Sequence, residues 1–172
     1  TGARVEIIGP HAPGDYARKI NYGIRAIDAP FVFQAADDLR FTRGWDDLVL
    51  REAGRPGGGV VGTCDLGNAR TRHARHSTHS LISRAYAERG TIDNDDETLH
   101  EGYRHNFVDD ELIGTARARG EYRPSAAVVE HLHPLWGKAP RDDVYDLGQE
   151  GYAADSVLFQ SRRELWEPGL AE

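Results

Sequence analysis

Residues 31–38, FVFQAADD, constrain the fold more than any other stretch of this chain. An apolar run of strand composition ends abruptly in two adjacent carboxylates, Asp37 and Asp38. Like charges repel, and burying unpaired ions costs several kcal/mol each. The run must therefore be a core strand whose end opens onto solvent or onto something that compensates the charge. A solvated strand-to-loop turn is one answer and a divalent cation is the other.

The flanking segments say what kind of sheet this strand joins. RVEIIGP (Arg4–Pro10) reads as a short strand stopped by Gly9-Pro10. GDYARKINYGIRAID then places Tyr16, Ile20, Ile24 and Ile27 at helical spacing. Strand, helix and strand within about 35 residues is the pattern of a parallel βαβ unit. Downstream, the residues predict a helix over RGWDDLVLREAG ended by Gly54, and a buried strand over VVGTC. A further helix is expected over SLISRAYAERG, followed by an acidic loop, TIDNDDETLHEGY. FVDDELIGTARARG reads as a helix opened by acids, which suit the positive end of the helix dipole. SAAVVEHLHP reads as a strand, and DSVLFQSRRELW as a last helix in a tail from residue 135. Alternating strands and helices predict one α/β domain over residues 1–172, with helices on both faces of a mostly parallel sheet.

Composition narrows the classes of partner. A formal net charge of −7 argues against broad nucleic-acid binding, which needs many cations to neutralise phosphates. No run approaches the roughly 20 apolar residues of a membrane-spanning helix. The single cysteine, Cys64, cannot form an internal disulfide, which fits a reducing, cytoplasmic compartment.

Ligands of open parallel sheets bind beyond the carboxyl ends of the strands. Two predicted strands end in metal-type ligands there: Asp37 and Asp38 after one, His131 and His133 after the other. Carboxylate and imidazole together suit Mn or Mg holding a phosphate-bearing substrate. Asp109 and Asp110, at a predicted helix start, are candidates for a general base. His73, His76 and His79 recur every three residues, a spacing that shares one face of a helix and allows a second metal site. An acceptor- or phosphate-contacting loop, with Arg70, Arg72 and Arg75, is the alternative, and a plain polar loop a third. Trp45, Trp136 and Trp166 could stack on sugar faces or sit in the core.

The order of these blocks resembles family 2 glycosyltransferases of the GT-A fold. VEIIGP … ARKINYGIRAIDAPFVFQAADDLRFTRGWDD is similar to that family's run from a helix through an apolar strand into a DxD-type acidic motif. FVDDELIGTARARGEYRPSAAVVEHLHP is similar to its later block of acidic base, helix, strand and histidine. The resemblance covers roughly residues 4–134.

It implies a nucleotide-sugar transferase, inverting at the anomeric carbon. Asp38 matches the metal-binding last acid of the DxD, and Asp37 its middle position near the donor. Ala36 stands where the first acid would be. Asp109 matches the catalytic base, with Asp110 next to it, and His131 the strand-end histidine of the metal shell, with His133 in reserve. Trp136, Arg72 and His76 are the candidates for acceptor contact. The implied cofactor is Mn or Mg, and the implied partners are a nucleotide-sugar donor and a hydroxyl-bearing acceptor. The chain starts at about the family's third structural step and contains no methionine, so the family's first nucleotide-binding βα units are expected to be missing. Two rivals stand beside this reading: a nucleotidyltransferase, and a non-catalytic carbohydrate-binding or assembly module with the same fold.

Overall fold

The structure, a computed structural model, describes residues 8–9 and 15–167. The strand expected over Arg4–Pro10 lies outside the described residues except for Ile8 and Gly9, which are in no strand. The parallel βαβ unit it would complete lies outside them too.

A first helix, α1 (Tyr16–Ala26), leads into β1 (Phe31–Phe33), β2 (Leu39–Phe41) and α2 (Trp45–Ala53), which ends at Gly54 as expected. Next come β3 (Val60–Cys64), a single turn α3 (Ala69–Arg72), β4 (Ser80–Ser83) and a short α4 (Arg84–Ala87). The chain continues with α5 (Val108–Ala118), β5 (Tyr122–His131), a 3₁₀ turn over Pro134–Trp136, and α6 (Asp143–Arg163).

The five strands form one sheet in the order β1-β4-β3-β5-β2. It is mixed rather than mostly parallel: β3 and β5 pair in parallel, and the other three pairings are antiparallel. The reason lies in SLIS, expected to begin a helix. Leu81 and Ile82 are both buried, one on each face, and the segment inserts as β4 between β1 and β3. Ser83 then caps α4 by accepting the Tyr86 N–H at 3.2 Å. Because β4 runs against both neighbours, β1, β3 and β5 still point the same way. Their carboxyl ends share one rim.

The strands are covered on both sides, as their period-two alternation requires. Val60 and Ile82 face one cluster with Ala17 and Ile24 of α1 and Leu112, Ile113 and Ala116 of α5. Val61 and Leu81 face the other, with Val49 of α2, Ala127, and the half-buried Phe31, Phe33 and Trp45.

The tail helix α6 starts twelve residues before the apolar periodicity that predicted it and joins the first cluster through Leu158 and Phe159. Polar anchors hold it. Buried Asp155 accepts the main-chain N–H groups of Arg104, His105 and Asn106 at 2.8, 2.9 and 2.7 Å. Arg162 reaches both carboxylate oxygens of buried Glu111 at 2.7 and 2.9 Å. Among the described residues no helix is long and apolar enough to cross a membrane.

Candidate functional site

Strand register brings the first two predicted groups together. β2 pairs antiparallel with β5, opposing Leu39 to His131, and the Leu132 N–H donates to the Asp38 carbonyl at 2.8 Å. Asp38, one residue before β2, thus lies beside the end of β5. Its Oδ2 is 3.0 Å from Nε2 of His131, though 93 residues separate them in the chain.

Around this pair the rim is built mainly of imidazole and phenol. His79, one residue before β4, sets its ring edge-on to His131, with centroids 5.0 Å apart. His133 does the same from the other side at 4.9 Å, and Tyr145 of α6 packs on His133 at 4.6 Å. The Tyr145 hydroxyl donates to Asp38 Oδ2 at 2.6 Å. Burial pushes the Asp38 carboxyl up, but the Tyr145 hydroxyl and the His131 ring outweigh it and hold the carboxyl below its usual range. Oδ1 of Asp38 is buried without a hydrogen-bond partner among the described residues.

His79 is 5% exposed; neither ring nitrogen makes a well-formed hydrogen bond among the described residues, although the Gln34 main chain interacts with the ring. Burial and the neighbouring His131 push it down to about 4, against the opposing pull of Asp109, Asp38 and the Gln34 main chain. It is a neutral imidazole at physiological pH. His133 is also lowered, by burial and then by His131, and its Nδ1 accepts the Leu135 N–H at 3.0 Å to start the 3₁₀ turn.

The predicted base lies at the start of α5, within electrostatic reach of His79. Asp109 Oδ2 is 2.8 Å from Nε2 of His76, which is 3% exposed. Burial opposes the charge on Asp109, but His76 and then His79 hold its carboxyl below the ordinary range. Asp110 is instead engaged by the Arg70 guanidinium, with Nδ1 of His76 at 3.9 Å. His76, Asp109 and Asp110 bring three metal-type donor atoms within 4.8 Å of one another. Tyr16 of α1 completes the enclosure; its hydroxyl donates to the Ala35 carbonyl at 3.1 Å and lies within the fields of Asp109 and Asp38.

The remaining candidates scatter. Asp37 is exposed, next to the pair but outside it. The helix expected to carry His73, His76 and His79 on one face ends at Arg72, so the run breaks up. His73, Arg72 and Arg75 are exposed, while His76 and His79 turn inward, His76 toward Asp109. Trp136, 38% exposed, lies against Gly67, where a Cβ would come within 2.8 Å of the indole. Trp45 packs between Phe33 and Phe41, with centroids at 4.7 and 4.6 Å, and Trp166 is buried against α5. Trp166 is a core residue, and Trp45 is half-buried against the second cluster.

Tyr145 and Tyr16 carry no sequence signal that would single them out. The histidine spacing did flag His79, though not its approach to His131. No family model, curated protein or solved structure matches this chain.

Proposed function

We propose that the protein is a metal-dependent glycosyltransferase of GT-A type, moving a sugar from a nucleoside-diphosphate donor to a hydroxyl acceptor with inversion. The observation that carries this reading is the meeting of Asp38 and His131 at the rim shared by three strand ends, with Asp109 within reach of the same surroundings. The buried, unpartnered Oδ1 of Asp38 fits a cation, because an ionised carboxylate oxygen can only accept. Asp38 and His131 would hold the metal; His133, whose Nδ1 caps the 3₁₀ turn, does not bring a third donor into convergence with them. A bound Mn²⁺ or Mg²⁺ would supply positive charge against the leaving diphosphate.

Asp109 is the base. Held ionised by His76, it takes the proton of the acceptor hydroxyl as that oxygen forms its bond to the anomeric carbon. The bond from that carbon to the diphosphate breaks on the opposite face, and the nucleoside diphosphate leaves with the electron pair. Asp37, exposed beside Asp38, would meet the donor's ribose or diphosphate.

Release of nucleoside diphosphate from a panel of nucleotide sugars, with Mn²⁺ and a mixture of hydroxyl acceptors, tests the reading. Asp38→Asn and His131→Ala should abolish metal-dependent release while leaving the fold intact. Pyrophosphate as product would instead make the protein a nucleotidyltransferase. Absence of calorimetric heat with any nucleotide sugar, with or without Mn²⁺, would make it a non-catalytic module.

A further inference from the structure

We propose that His76, Asp109 and Asp110 form a second cation site, separate from Asp38 and His131, which takes a transition cation of the Zn²⁺ class and thereby occupies the carboxylate that serves as base. The site stands on its own geometry. That a cation there switches the enzyme off rests on the reading of Asp109 as the base.

The donors converge. One donor atom from each of the three residues lies within 4.8 Å of the other two, and among the described residues no other group of three or more such side chains does so. His76 turns one nitrogen toward each carboxylate: Nε2 is 2.8 Å from Oδ2 of Asp109, and Nδ1 is 3.9 Å from Oδ1 of Asp110. Around a tetrahedral Zn²⁺, with bonds of about 2.0–2.2 Å, neighbouring donors stand about 3.4 Å apart. The observed spacings bracket that value, so side-chain rotations of about 1–1.5 Å close the shell.

The backbone that carries these donors is held firmly. Leu112, Ile113 and Ala116 seat α5 in the first cluster. On the other side His76 is buried, and Ser77 next to it accepts the Thr63 N–H at 3.0 Å and donates to the His79 carbonyl at 2.7 Å. Asp109 is ionised despite its burial, so it need not shed a proton to bind.

Arg70 already engages Asp110 and would have to give way. Its side chain is 54% exposed on the single turn α3, and a partly exposed ion pair of this kind contributes little to stability. A divalent ion brings twice the charge and bonds all three donors at once.

The donor set selects the ion. Imidazole suits Zn²⁺ and other transition cations, while Mg²⁺ demands oxygen and gives up water reluctantly. Three protein ligands leave a fourth position for water. Asp109 cannot then also receive the acceptor's proton. One of its oxygens is committed to the cation, and the cation's charge makes the other less basic.

The test is Zn²⁺ and Co²⁺ binding by the full chain after chelator treatment, read by calorimetry and by the visible absorption of Co²⁺, which is intense in four-fold coordination. The wild type should bind Zn²⁺ in the presence of millimolar Mg²⁺. Asp110→Asn and His76→Gln should each weaken Zn²⁺ binding at least about tenfold and lose the Co²⁺ absorption. Asp110 is partly exposed, so the result does not hang on the folding of a variant at buried His76. Arg70→Gln removes the competing guanidinium and should tighten Zn²⁺ binding a few-fold. Asp38→Asn should keep the Co²⁺ absorption. Unchanged Zn²⁺ affinity in Asp110→Asn, or loss of the absorption in Asp38→Asn instead, would overturn the site. In the nucleoside-diphosphate release assay, saturating Zn²⁺ should suppress Mn²⁺-supported turnover, and Asp110→Asn should relieve the suppression. Suppression that persists in Asp110→Asn, or turnover undiminished at full Zn²⁺ occupancy, would overturn the inhibitory role. A wild type that binds Zn²⁺ at this trio but turns over no nucleotide sugar would remove the glycosyltransferase reading, and the inhibition with it, while the cation site stands.

Discussion

The Tyr145 hydroxyl donates to Oδ2 of Asp38 at 2.6 Å, which ties the first turn of α6 to the rim where the strand ends meet. The same carboxylate oxygen faces His131, so Tyr145 occupies the second oxygen of a carboxylate whose Oδ1 would meet the proposed cation and keeps it from a second contact. Removing the hydroxyl has two opposed effects. It frees Oδ2, and it cuts a charge-assisted hydrogen bond in a half-buried setting, worth about 1 kcal/mol after allowance for solvent. Tyr145→Phe should lower stability in urea by about that amount and raise Mn²⁺ affinity a few-fold. A tenfold fall in affinity would mean that Tyr145 orients Asp38 for the metal instead of shielding it.

Sequence reading located some parts of this arrangement for reasons that can be named. Helices α1, α2 and α5 are amphipathic over two or more turns, and VVGTC and SAAVVEH are apolar runs bounded by turn residues, so periodicity and composition mark them. SLIS is only four residues long. In a run that short, helix and strand are not distinguishable by periodicity, and the β4 insertion that makes the sheet mixed depends on what Leu81 and Ile82 find on either face. β2 is shorter still, with an exposed Arg40 at its centre, yet its register against β5 is what sets Asp38 beside His131. The residue types at the rim were legible because Asp37 and Asp38, and His131 and His133, close apolar runs in the sequence. The roles of Tyr145, Tyr16 and the polar anchors of α6 were not, because nothing local distinguishes them from ordinary surface residues. Within VDDEL, three adjacent acids take three different partners: His76, Arg70 and Arg162.

That division of partners separates the two candidate bases. Asp109 faces His76 and the rim, whereas Asp110 is neutralised by Arg70 on the outer side of α5. Asp109→Asn should reduce kcat by about 10²–10⁴-fold, the usual scale of general-base catalysis, with the donor KM near wild type. Asp110→Asn should stay within about tenfold of wild type, since catalysis on this reading asks nothing of it. Kinetics of the two variants on one donor–acceptor pair decide the matter; the reverse pattern would transfer the role of base to Asp110.

Cys64 ends β3 at the same rim, partly exposed. Burial and the adjacent Asp65 push its thiol up, with Arg72 pulling the other way. The thiolate is the reactive form, so at any pH below the raised value a smaller fraction is reactive than for an ordinary cysteine near about 8.5. Alkylation by iodoacetamide at pH 8 should run several-fold slower than for free cysteine and should accelerate as pH rises further. Arg72→Gln removes the opposing cation from an exposed position and should slow it again. A rate at pH 7 equal to that of free cysteine would contradict the raised thiol.

Gly114 shows how α6 is seated independently of the rim. A Cβ on this α5 residue would come within 2.3 Å of Nε1 and 2.7 Å of Cδ1 of Trp166, a buried ring that also packs on Phe159 with centroids 5.7 Å apart. Alanine improves helix propensity by about 1 kcal/mol over glycine. Overpacking a tight contact costs about 1–3 kcal/mol, and a rigid indole held on its other side cannot yield cheaply. The clash should win. Gly114→Ala is therefore expected to be net destabilised in urea, by up to about 2 kcal/mol, with tryptophan emission shifted to the red as Trp166 is displaced. Mn²⁺ binding should survive, because Asp38 and His131 are brought together by the pairing of β2 with β5 and not by α6. A stabilised Gly114→Ala would show that Trp166 does not lie on α5, whereas loss of Mn²⁺ binding would make α6 part of the metal centre through Tyr145.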